Sequence, residues 1–257
     1  MIAVVLCAGF ATRMYPLTRD VPKPLLPVVD KPVIDYLIDQ LVDLPGLKAA
    51  HIVSNDRFFD HFRAWQREHT RAGHWGSLRL VLHNDGATAN ANRLGAAADL
   101  QWVLARIPPT DRLLVSAGDN IFRFRLAPLW QRFLLSEGHW VVALPETDPD
   151  RLKRTGVLEL GENDRVLKLH EKPPIPPSAW CCPPLYLLRG SARAALDAFI
   201  EASDTRDAPG HFIDYLCRRE SVHAIRLNAF RLDIGSLEIY RRADTLLRRD
   251  PLFPETA

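Results

Sequence analysis

The sequence predicts an α/β fold with a mainly parallel sheet. Residues Ile2 to Leu6 form a short continuous apolar run, which is the pattern of a strand buried on both faces. Apolar positions recur at helical spacing between Pro32 and Val42, and Pro45-Gly46 then ends the predicted helix. Strand and helix patterns continue to alternate to about residue 150, and this alternation favours right-handed crossovers between parallel strands.

The remaining elements follow in chain order. Strands are predicted at 50–54, 78–83, 112–116 and 139–144, with helices at 56–69, 94–107 and 126–136 between them. After residue 150 the pattern changes to two strand-like runs, 156–160 and 165–170, joined by the hairpin signal Gly161-Glu162-Asn163-Asp164. An irregular Pro-rich loop is expected at 173–184, helices at 191–202, 210–220 and 237–248, and strands at 222–227 and 230–234.

Composition restricts the class of protein. Of the 257 residues, 47% are hydrophobic and 25% are charged, which is typical of a globular protein and argues against disorder. The 33 basic and 31 acidic side chains nearly cancel, so the chain lacks the overall positive field of a protein that wraps nucleic acid. We therefore expect no nucleic-acid partner.

The expected location is the cytoplasm. The four cysteines, Cys7, Cys181, Cys182 and Cys217, lack the spacing of a zinc site and indicate reduced thiols. The first positive charge comes only at Arg13, after the apolar run, which is the reverse of the order in a signal peptide. No apolar run approaches the roughly 20 residues needed to cross a bilayer, so no membrane association is expected.

Two cationic residues follow the first predicted strand. Residues 7–18 form a Gly-containing loop at the carboxyl end of that strand, where open parallel sheets bind ligands. Arg13 lies in this loop, and prolines on both sides of Lys23 restrict the lysine backbone. The two side chains could hold a polyphosphate at fixed positions. A plain turn and a solvated lysine are the alternatives that the local sequence leaves open.

Two carboxylates follow short apolar segments further along. Asp119 comes two small residues after the predicted strand 112–116, and Asp233 lies just ahead of the last helix. Magnesium prefers oxygen ligands and usually takes one or two carboxylates besides phosphate oxygens. Either aspartate could instead only cap a turn or a helix, and their separation in sequence does not show that they meet. Between them lies Glu171-Lys172, which by itself is typical of a solvated pair.

Taken in order, these segments resemble the sugar-phosphate nucleotidylyltransferase family, which includes glucose-1-phosphate thymidylyl- and uridylyltransferases. The segment from Ala8 to Pro32 is similar to the family's Gly-x-Gly-Thr-Arg, Pro-Leu-Thr and Pro-Lys-Pro elements, and Gly-Asp, Glu-Lys-Pro and Asp-x-Gly elements follow in the family's order. The resemblance covers nearly the whole chain. It implies a Rossmann-like three-layer sandwich with a mixed central sheet and a small sugar-binding β-subdomain.

The resemblance also implies the roles of individual residues. Arg13 and Lys23 would hold the triphosphate, Lys172 would orient the sugar phosphate, and Asp119 and Asp233 would hold Mg²⁺ as the cofactor. The substrate-binding residues implied in the same way are Ala8, Gly9, Asn84, Gly95, Gly118, Gly156 and Glu171.

Three departures from the family pattern bear on these roles. Ala11 stands where the family has its second glycine, and alanine is costly there if the position needs a positive φ angle. Additional polar residues, Arg93 among them, alter the segment expected beside the base, so the base is left open. Cys181-Cys182 falls near the place of a sugar-contacting Asn, so the sugar is also left open.

The implied activity is Mg²⁺-dependent transfer of a nucleotidyl group from a nucleoside triphosphate, dTTP or UTP in the first place, to a hexose 1-phosphate. We expect a single nucleotidyltransferase domain over 1–257, with a nucleotide part at 1–150, a sugar-phosphate part at 151–235 and a C-terminal helix and tail at 236–257. The alternatives are an enzyme that uses CTP or GTP with another phosphorylated acceptor, and a regulatory nucleotide-sugar-binding protein without catalysis. A nucleic-acid-binding protein is suggested only by Arg241-Arg242 and Arg248-Arg249. Homo-oligomerisation is left open.

Overall fold

A computed structural model of the chain describes residues 1–76 and 78–249. The chain divides into two compact units. The first unit comprises Ile2–Arg93, Ala117–Pro128 and the segment from Phe230 onward, and the second comprises Leu94–Ser116 and Leu129–Ala229 together with Met1.

Fourteen strands and eight α-helices are formed by the described residues. The strands are β1 (Ile2–Leu6), β2 (Pro27–Val28), β3 (Lys31–Pro32), β4 (Ala49–Ser54), β5 (Arg79–Asn84), β6 (Arg112–Ala117), β7 (Asn120–Phe122), β8 (His139–Pro145), β9 (Gly156–Leu160), β10 (Val166–Glu171), β11 (Trp180–Cys182), β12 (Leu185–Arg189), β13 (Val222–Arg226) and β14 (Arg231–Asp233). The helices are α1 (Asp35–Val42), α2 (Phe59–Ala72), α3 (Ala96–Leu104), α4 (Leu126–Leu134), α5 (Pro149–Leu152), α6 (Ala192–Ala202), α7 (Pro209–Cys217) and α8 (Leu237–Arg249). None of the helices within residues 1–76 and 78–249 has the length and apolar character needed to cross a membrane.

Parallel strands form the sheet of the first unit. Strand β4 pairs with β1 on one side and β5 on the other, with Ala49 opposite both Ile2 and Arg79. Every residue of β4 and four of the five in β1 are buried, as expected for apolar strands covered on both faces. Helix α2 follows β4 after a 3₁₀ turn in which the buried Asn55 side chain accepts the Phe58 N–H at 3.0 Å.

The second unit has mostly antiparallel pairs. Its strands lie in the order β10, β9, β11, β8, β12 and β6, and β13 adds a parallel pairing to β8. The predicted hairpin between β9 and β10 is confirmed, with Gly156 opposite Glu171. The predicted α/β class with a mixed sheet is therefore confirmed, and the parallel pairs of the second unit are confined to β8 and β13.

Five strands differ from the sequence prediction. The segment 173–184 was expected to be irregular, but it contains β11, which lies between β9 and β8. Strands β7 and β12 were not predicted at all, and neither were the two-residue strands β2 and β3. Strands β7 and β11 have only three residues each, which is too short for a periodic pattern. The first four residues of β12 are consecutive, apolar and buried, but they stand between a Pro-rich segment and a helix, so the sequence gives no separate boundary.

A hydrophobic cluster in the first unit supports the segments that carry the predicted triphosphate and metal residues. Its buried members are Met14, Leu26, Val28, Val33, Tyr36, Ile121, Leu232, Ile234, Ala243 and Leu247. They come from the loop after β1, from α1, from the β7 and β14 pair and from α8. The same core thus fixes residues near Arg13, Lys23, Asp119 and Asp233, although these lie far apart in sequence.

Candidate active site

Two buried polar side chains hold the loop after β1 by donating hydrogen bonds to its carbonyl groups. The Asn55 amide donates to the carbonyl of Ala8 at 2.9 Å, and the Thr18 hydroxyl donates to the carbonyl of Ala11 at 2.8 Å. Both side chains are fully buried. Neither residue was among the predicted site residues, although Asn55 directly follows the predicted strand 50–54. The loop is therefore a fixed structure whose outer face carries Gly9 and Arg13, both exposed.

Two positions in this loop have different backbone requirements. Ala11 adopts φ 48° and ψ 40°, the left-handed conformation that an L-residue rarely takes. Gly9 is outside that region, and a Cβ built on it would meet no atom within 4 Å. Open space beside the exposed Gly9 backbone leaves room for a close-lying anion.

Gly118 is required by packing beneath the loop. A Cβ at this position would collide with the Cys7 sulfur and lie 3.2 Å from a Val5 methyl group. The Gly118 N–H donates to the Leu6 carbonyl at 3.0 Å, so the segment that ends in Asp119 lies against the end of β1. Burial, followed by the negative charge of Asp119, raises the pKa of Cys7 well above its ordinary value and keeps the thiol neutral.

Lys23 and Asp119 form an ion pair in the first unit. The ammonium Nζ contacts Asp119 Oδ2, with the two side chains 15% and 23% exposed. Burial opposes the charged form of Lys23, but Asp119 and then Asp233 outweigh it and raise the pKa of Lys23 above its ordinary value. The charge of Arg13 acts on the same ammonium in the opposite direction. The structure thus brings Lys23, Asp119 and Asp233 together, with Arg13 on the exposed face of the loop after β1.

The pairing of β7 with β14 places Asp233 beside Asp119. Asp233 lies opposite Asn120, and the Ile234 N–H donates to the Asp119 carbonyl at 3.2 Å. Asn120 is buried, and its amide donates to Asp119 Oδ1 at 2.7 Å. Burial alone would raise the pKa of Asp119, but Lys23, with help from Arg231 and the Asn120 amide, lowers the pKa below its ordinary value.

These two carboxylates fit a hard divalent cation. Within residues 1–76 and 78–249, no group of three or more His, Cys, Asp or Glu side chains is placed to hold a metal ion. Two carboxylates are nevertheless the protein ligands that Mg²⁺ commonly takes when phosphate oxygens and water complete its shell. Asp233 is about half exposed, which leaves it accessible to a bound ligand, and the Lys23 ammonium already occupies a position where positive charge is favourable.

The second unit brings together the other predicted group. Gly156 lies opposite Glu171 in the β9–β10 pair, and a Cβ on Gly156 would lie 3.5 Å from Glu171 Oε2. The Lys172 N–H donates to the Thr155 carbonyl at 3.0 Å, and Lys172 has a left-handed φ of 49°. Glu171 is mostly buried whereas Lys172 is 61% exposed, with 3.7 Å between Nζ and Oε1. Cys182 is also opposite Gly156, in β11.

Gly210, in the first turn of α7, was not identified from the sequence. A Cβ there would collide with Glu171 Oε2 and would lie 3.0 Å from Leu169 Cδ2. Glycine at this position therefore leaves room for the Glu171 carboxylate against the amino end of α7, and a larger residue would displace that carboxylate. The partial positive charge at a helix N-terminus favours a carboxylate at that place.

Asn84 and Gly95, the two residues predicted to contact the base, are each held by the surrounding structure. The Asn84 amide donates to Asp56 Oδ1 at 2.7 Å, and its oxygen accepts the Gly86 N–H at 2.9 Å. Gly95 has φ 95°, and a Cβ there would clash with the backbone of Arg206. Both residues belong to well-defined local structure, and their contact with a base remains a prediction. Arg93 donates to the Asn90 carbonyl at 2.8 Å.

The arginines of α8 that suggested nucleic-acid binding include members of local ion pairs. Arg242 lies 3.5 Å from Glu238, one turn away on the same helix, and Arg248 lies 3.6 Å from Asp30. These exposed pairs are typical of a solvated helix face.

Comparison with known proteins identifies the family. A family model for nucleotidyl transferases matches residues 2–249. The UTP–glucose-1-phosphate uridylyltransferase AglF of Haloferax volcanii is 27% identical over 263 residues, which cover 97% of this chain and 98% of that protein. The glucose-1-phosphate thymidylyltransferase of Neisseria meningitidis serogroup A is 31% identical over 188 residues, but they cover 72% of this chain and only 60% of that relative.

Solved structures show the same fold. A UDP-glucose pyrophosphorylase complexed with UDP-glucose has a TM-score of 0.79 at 18% identity, covering 96% of this chain and 98% of that one. A UTP-bound enzyme of the same kind from Acinetobacter baumannii has a TM-score of 0.77 at 18% identity, covering 98% of this chain and 95% of that one. With the family model matching nearly every residue, this chain belongs to the nucleotidyl transferase family.

Proposed function

We propose that the chain is a sugar-1-phosphate nucleotidylyltransferase, which converts a nucleoside triphosphate and a sugar 1-phosphate into a nucleoside diphosphate sugar and pyrophosphate. The observation that carries the proposal is the cluster of Lys23, Asp119 and Asp233 beside the exposed Gly9 loop. The full-length similarity to a UTP–glucose-1-phosphate uridylyltransferase supports the same reaction. The preferred substrates are UTP or dTTP with a hexose 1-phosphate.

In this reaction an oxygen of the sugar phosphate attacks the α-phosphorus of the triphosphate. The new phosphorus–oxygen bond forms as the bond to the β-phosphate breaks, and pyrophosphate leaves with the electron pair. No side-chain nucleophile is needed, because such transfers depend on positioning and on neutralising charge. Lys23 and Arg13 hold the triphosphate, while the exposed backbone at Gly9 lets the phosphates approach closely, and the buried Ala8 and Gly118 support the loop from which Gly9 projects.

Residues of the second unit bind the sugar 1-phosphate. Glu171 accepts hydrogen bonds from sugar hydroxyls, and the Gly156 backbone lies against the sugar. Lys172 orients the attacking phosphate with its exposed ammonium. Asn84 and Gly95 contribute to the nucleoside site. We place the whole activity in one domain over 1–257 and the protein in the cytoplasm.

Asp119 and Asp233 hold the divalent ion, which we propose to be Mg²⁺. When bound, such an ion supplies positive charge to the reacting phosphates and orients them. Lys23 also pairs directly with Asp119. The lysine is thus placed to exchange its carboxylate partner for a triphosphate oxygen.

A substrate panel tests the activity. The purified chain is incubated with Mg²⁺ and each common nucleoside triphosphate, crossed with several sugar 1-phosphates, and pyrophosphate release and nucleotide-sugar formation are followed. Asp119→Asn and Asp233→Asn are expected to lower turnover by more than about a hundredfold, because charge stabilisation in the transition state is lost. The matched control is Asp43→Asn, an exposed carboxylate of the same unit. Full turnover in folded Asp119→Asn would exclude the metal assignment.

A second pair of variants tests the sugar-phosphate assignment. Lys172→Met is expected to raise KM for the sugar 1-phosphate while leaving triphosphate affinity unchanged. Lys168→Met provides the control, because Lys168 is exposed on β10, the strand that ends just before Lys172. If Lys172→Met left both affinities unchanged, the division of roles between Lys172 and Lys23 would be wrong.

A further inference from the structure

Arg231 connects the two aspartates of the first unit through side chains. Arg231 lies in β14, two residues before Asp233, and is 11% exposed. Its Nη1 donates to Asn120 Oδ1 and lies 3.6 Å from Asp233 Oδ2. The Asn120 amide donates in turn to Asp119 Oδ1 at 2.7 Å. One guanidinium is therefore in contact with Asp233 directly and with Asp119 through a single buried amide.

The backbone brings the aspartates together but does not orient their carboxylates. Strands β7 and β14 have three residues each, and isolated pairs of this length are only marginally stable. The pairing fixes the Cα positions, with Asp233 opposite Asn120. Side-chain rotation about Asp119 and Asp233 is limited by what their oxygens contact. Lys23 contacts Asp119 Oδ2, and Arg231 contacts Asp233 directly and Asp119 Oδ1 through Asn120, so these side chains together hold the carboxylates in one arrangement.

The charge of Arg231 and its positioning of the two carboxylates have opposite effects on the affinity for a divalent cation. A guanidinium beside two carboxylates repels an incoming cation, so its removal would strengthen cation binding if charge alone mattered. Residues that hydrogen-bond to metal-binding carboxylates orient them, and losing such a residue typically weakens metal affinity by roughly 10- to 100-fold. The sign of the change in affinity therefore separates the two effects.

We propose that Arg231 is a positioning residue that, acting through Asn120, orients Asp119 and Asp233 to bind a divalent cation. The inference rests on the proposed function, which assigns these two aspartates to the ion. It adds a residue that acts through its contacts with Asp233 and Asn120. Its role is to limit the number of arrangements that the two carboxylates can adopt.

The test measures Mn²⁺ binding without turnover. Free Mn²⁺ is followed by electron paramagnetic resonance during titration of the full chain with a non-hydrolysable nucleoside triphosphate present. Arg231→Gln is expected to raise the Kd for Mn²⁺ by about tenfold or more. Arg231→Lys keeps the charge but has a shorter reach and no planar fork, so its Kd should lie between wild type and Arg231→Gln. Arg242→Gln, exposed on α8, is the control and should leave the Kd unchanged.

The outcomes separate this inference from the proposed function. Failure of wild-type protein to bind Mn²⁺ with the triphosphate analogue would overturn the function itself. Wild-type binding together with an unchanged or lower Kd in Arg231→Gln would overturn only the role of Arg231. Circular dichroism melts identify folded variants. If Arg231→Gln does not fold, Arg231→Lys decides, because a Kd equal to that of wild type would then overturn the positioning role.

Discussion

Ala11 provides the sharpest stability prediction, because an alanine holds a backbone conformation that favours glycine. Its φ of 48° and ψ of 40° are fixed by the Thr18 hydroxyl on its carbonyl and by the 3₁₀ turn that follows. We predict that Ala11→Gly stabilises the protein. Most alanine-to-glycine substitutions do the reverse, so the direction of the change is informative.

The expected change in the free energy of unfolding is the difference between two opposing contributions. Holding the left-handed conformation costs an L-residue roughly 1–2 kcal/mol, and glycine does not incur this cost. Glycine loses about 0.4–1 kcal/mol through the greater freedom of the unfolded chain. The net gain expected for Ala11→Gly is therefore about 0.8 kcal/mol, taken from the middle of these ranges.

A second alanine-to-glycine variant, at Ala105, separates the backbone strain at Ala11 from the effect of glycine on the unfolded chain. Ala105 is exposed and has φ −64° and ψ −20° at the end of α3, so glycine relieves no strain there and should cost about 0.5–1 kcal/mol. Because both variants change alanine to glycine, the unfolded-state term cancels in their difference. Urea denaturation should then show Ala11→Gly more stable than Ala105→Gly by about 1–2 kcal/mol. Equal losses in the two variants would refute the left-handed assignment at Ala11.

Three further predictions concern other positions. Gly9→Ala should raise the free energy of unfolding by about 0.4–1 kcal/mol, because its Cβ meets no atom and alanine restricts the unfolded chain, but it should weaken triphosphate binding measured by calorimetry. Unchanged affinity would remove Gly9 from the site. Gly210→Ala should displace the Glu171 carboxylate and so raise KM for the sugar 1-phosphate several-fold without changing KM for the triphosphate. Equal effects on the two KM values would contradict a role of Gly210 in positioning Glu171. Burial, followed by the charges of His83 and Arg79, lowers the pKa of His51 to about 4. The unfolded chain therefore binds a proton at His51 before the folded chain does, so the contribution of neutral His51 to stability is present above about pH 6.5 and is lost as the pH falls towards 4. In His51→Gln, the loss of unfolding free energy between pH 7 and pH 4.5 should be smaller than in wild type by roughly 2–3 kcal/mol, as measured by denaturation at both pH values. An equal loss in the two proteins would show that His51 does not cause this pH dependence.

Sequence patterns predicted elements whose signals are local. Strand β1 is a continuous apolar run, and the β9–β10 hairpin is marked by its Gly161 to Asp164 turn. The possible strain at Ala11 was also accessible from sequence, since alanine replaces a glycine of the family pattern. Helix α1 begins at Asp35 rather than Pro32, because Pro32 pairs with Pro27 in β2 and β3. Local propensity cannot anticipate such pairings.

Contacts between distant segments could not be predicted in the same way. Arg231 and Asn120 are 111 residues apart, and neither belongs to the family elements recognised in the sequence. Gly210 looks like an ordinary helix-start glycine until Glu171 is placed beside it. The candidate site was therefore predictable where a motif names the residue. The supporting residues become visible only when the fold brings them together.

The direction of phosphoryl attack tests the proposed reaction most directly. Hexose 1-phosphate carrying heavy oxygen on its non-bridging phosphate positions is converted with UTP or dTTP, and the products are examined by phosphorus NMR. The account predicts that all the label appears in the nucleotide sugar, with one labelled oxygen bridging its two phosphorus atoms, and that pyrophosphate carries none. Label in the pyrophosphate would contradict attack of the sugar phosphate on the α-phosphorus.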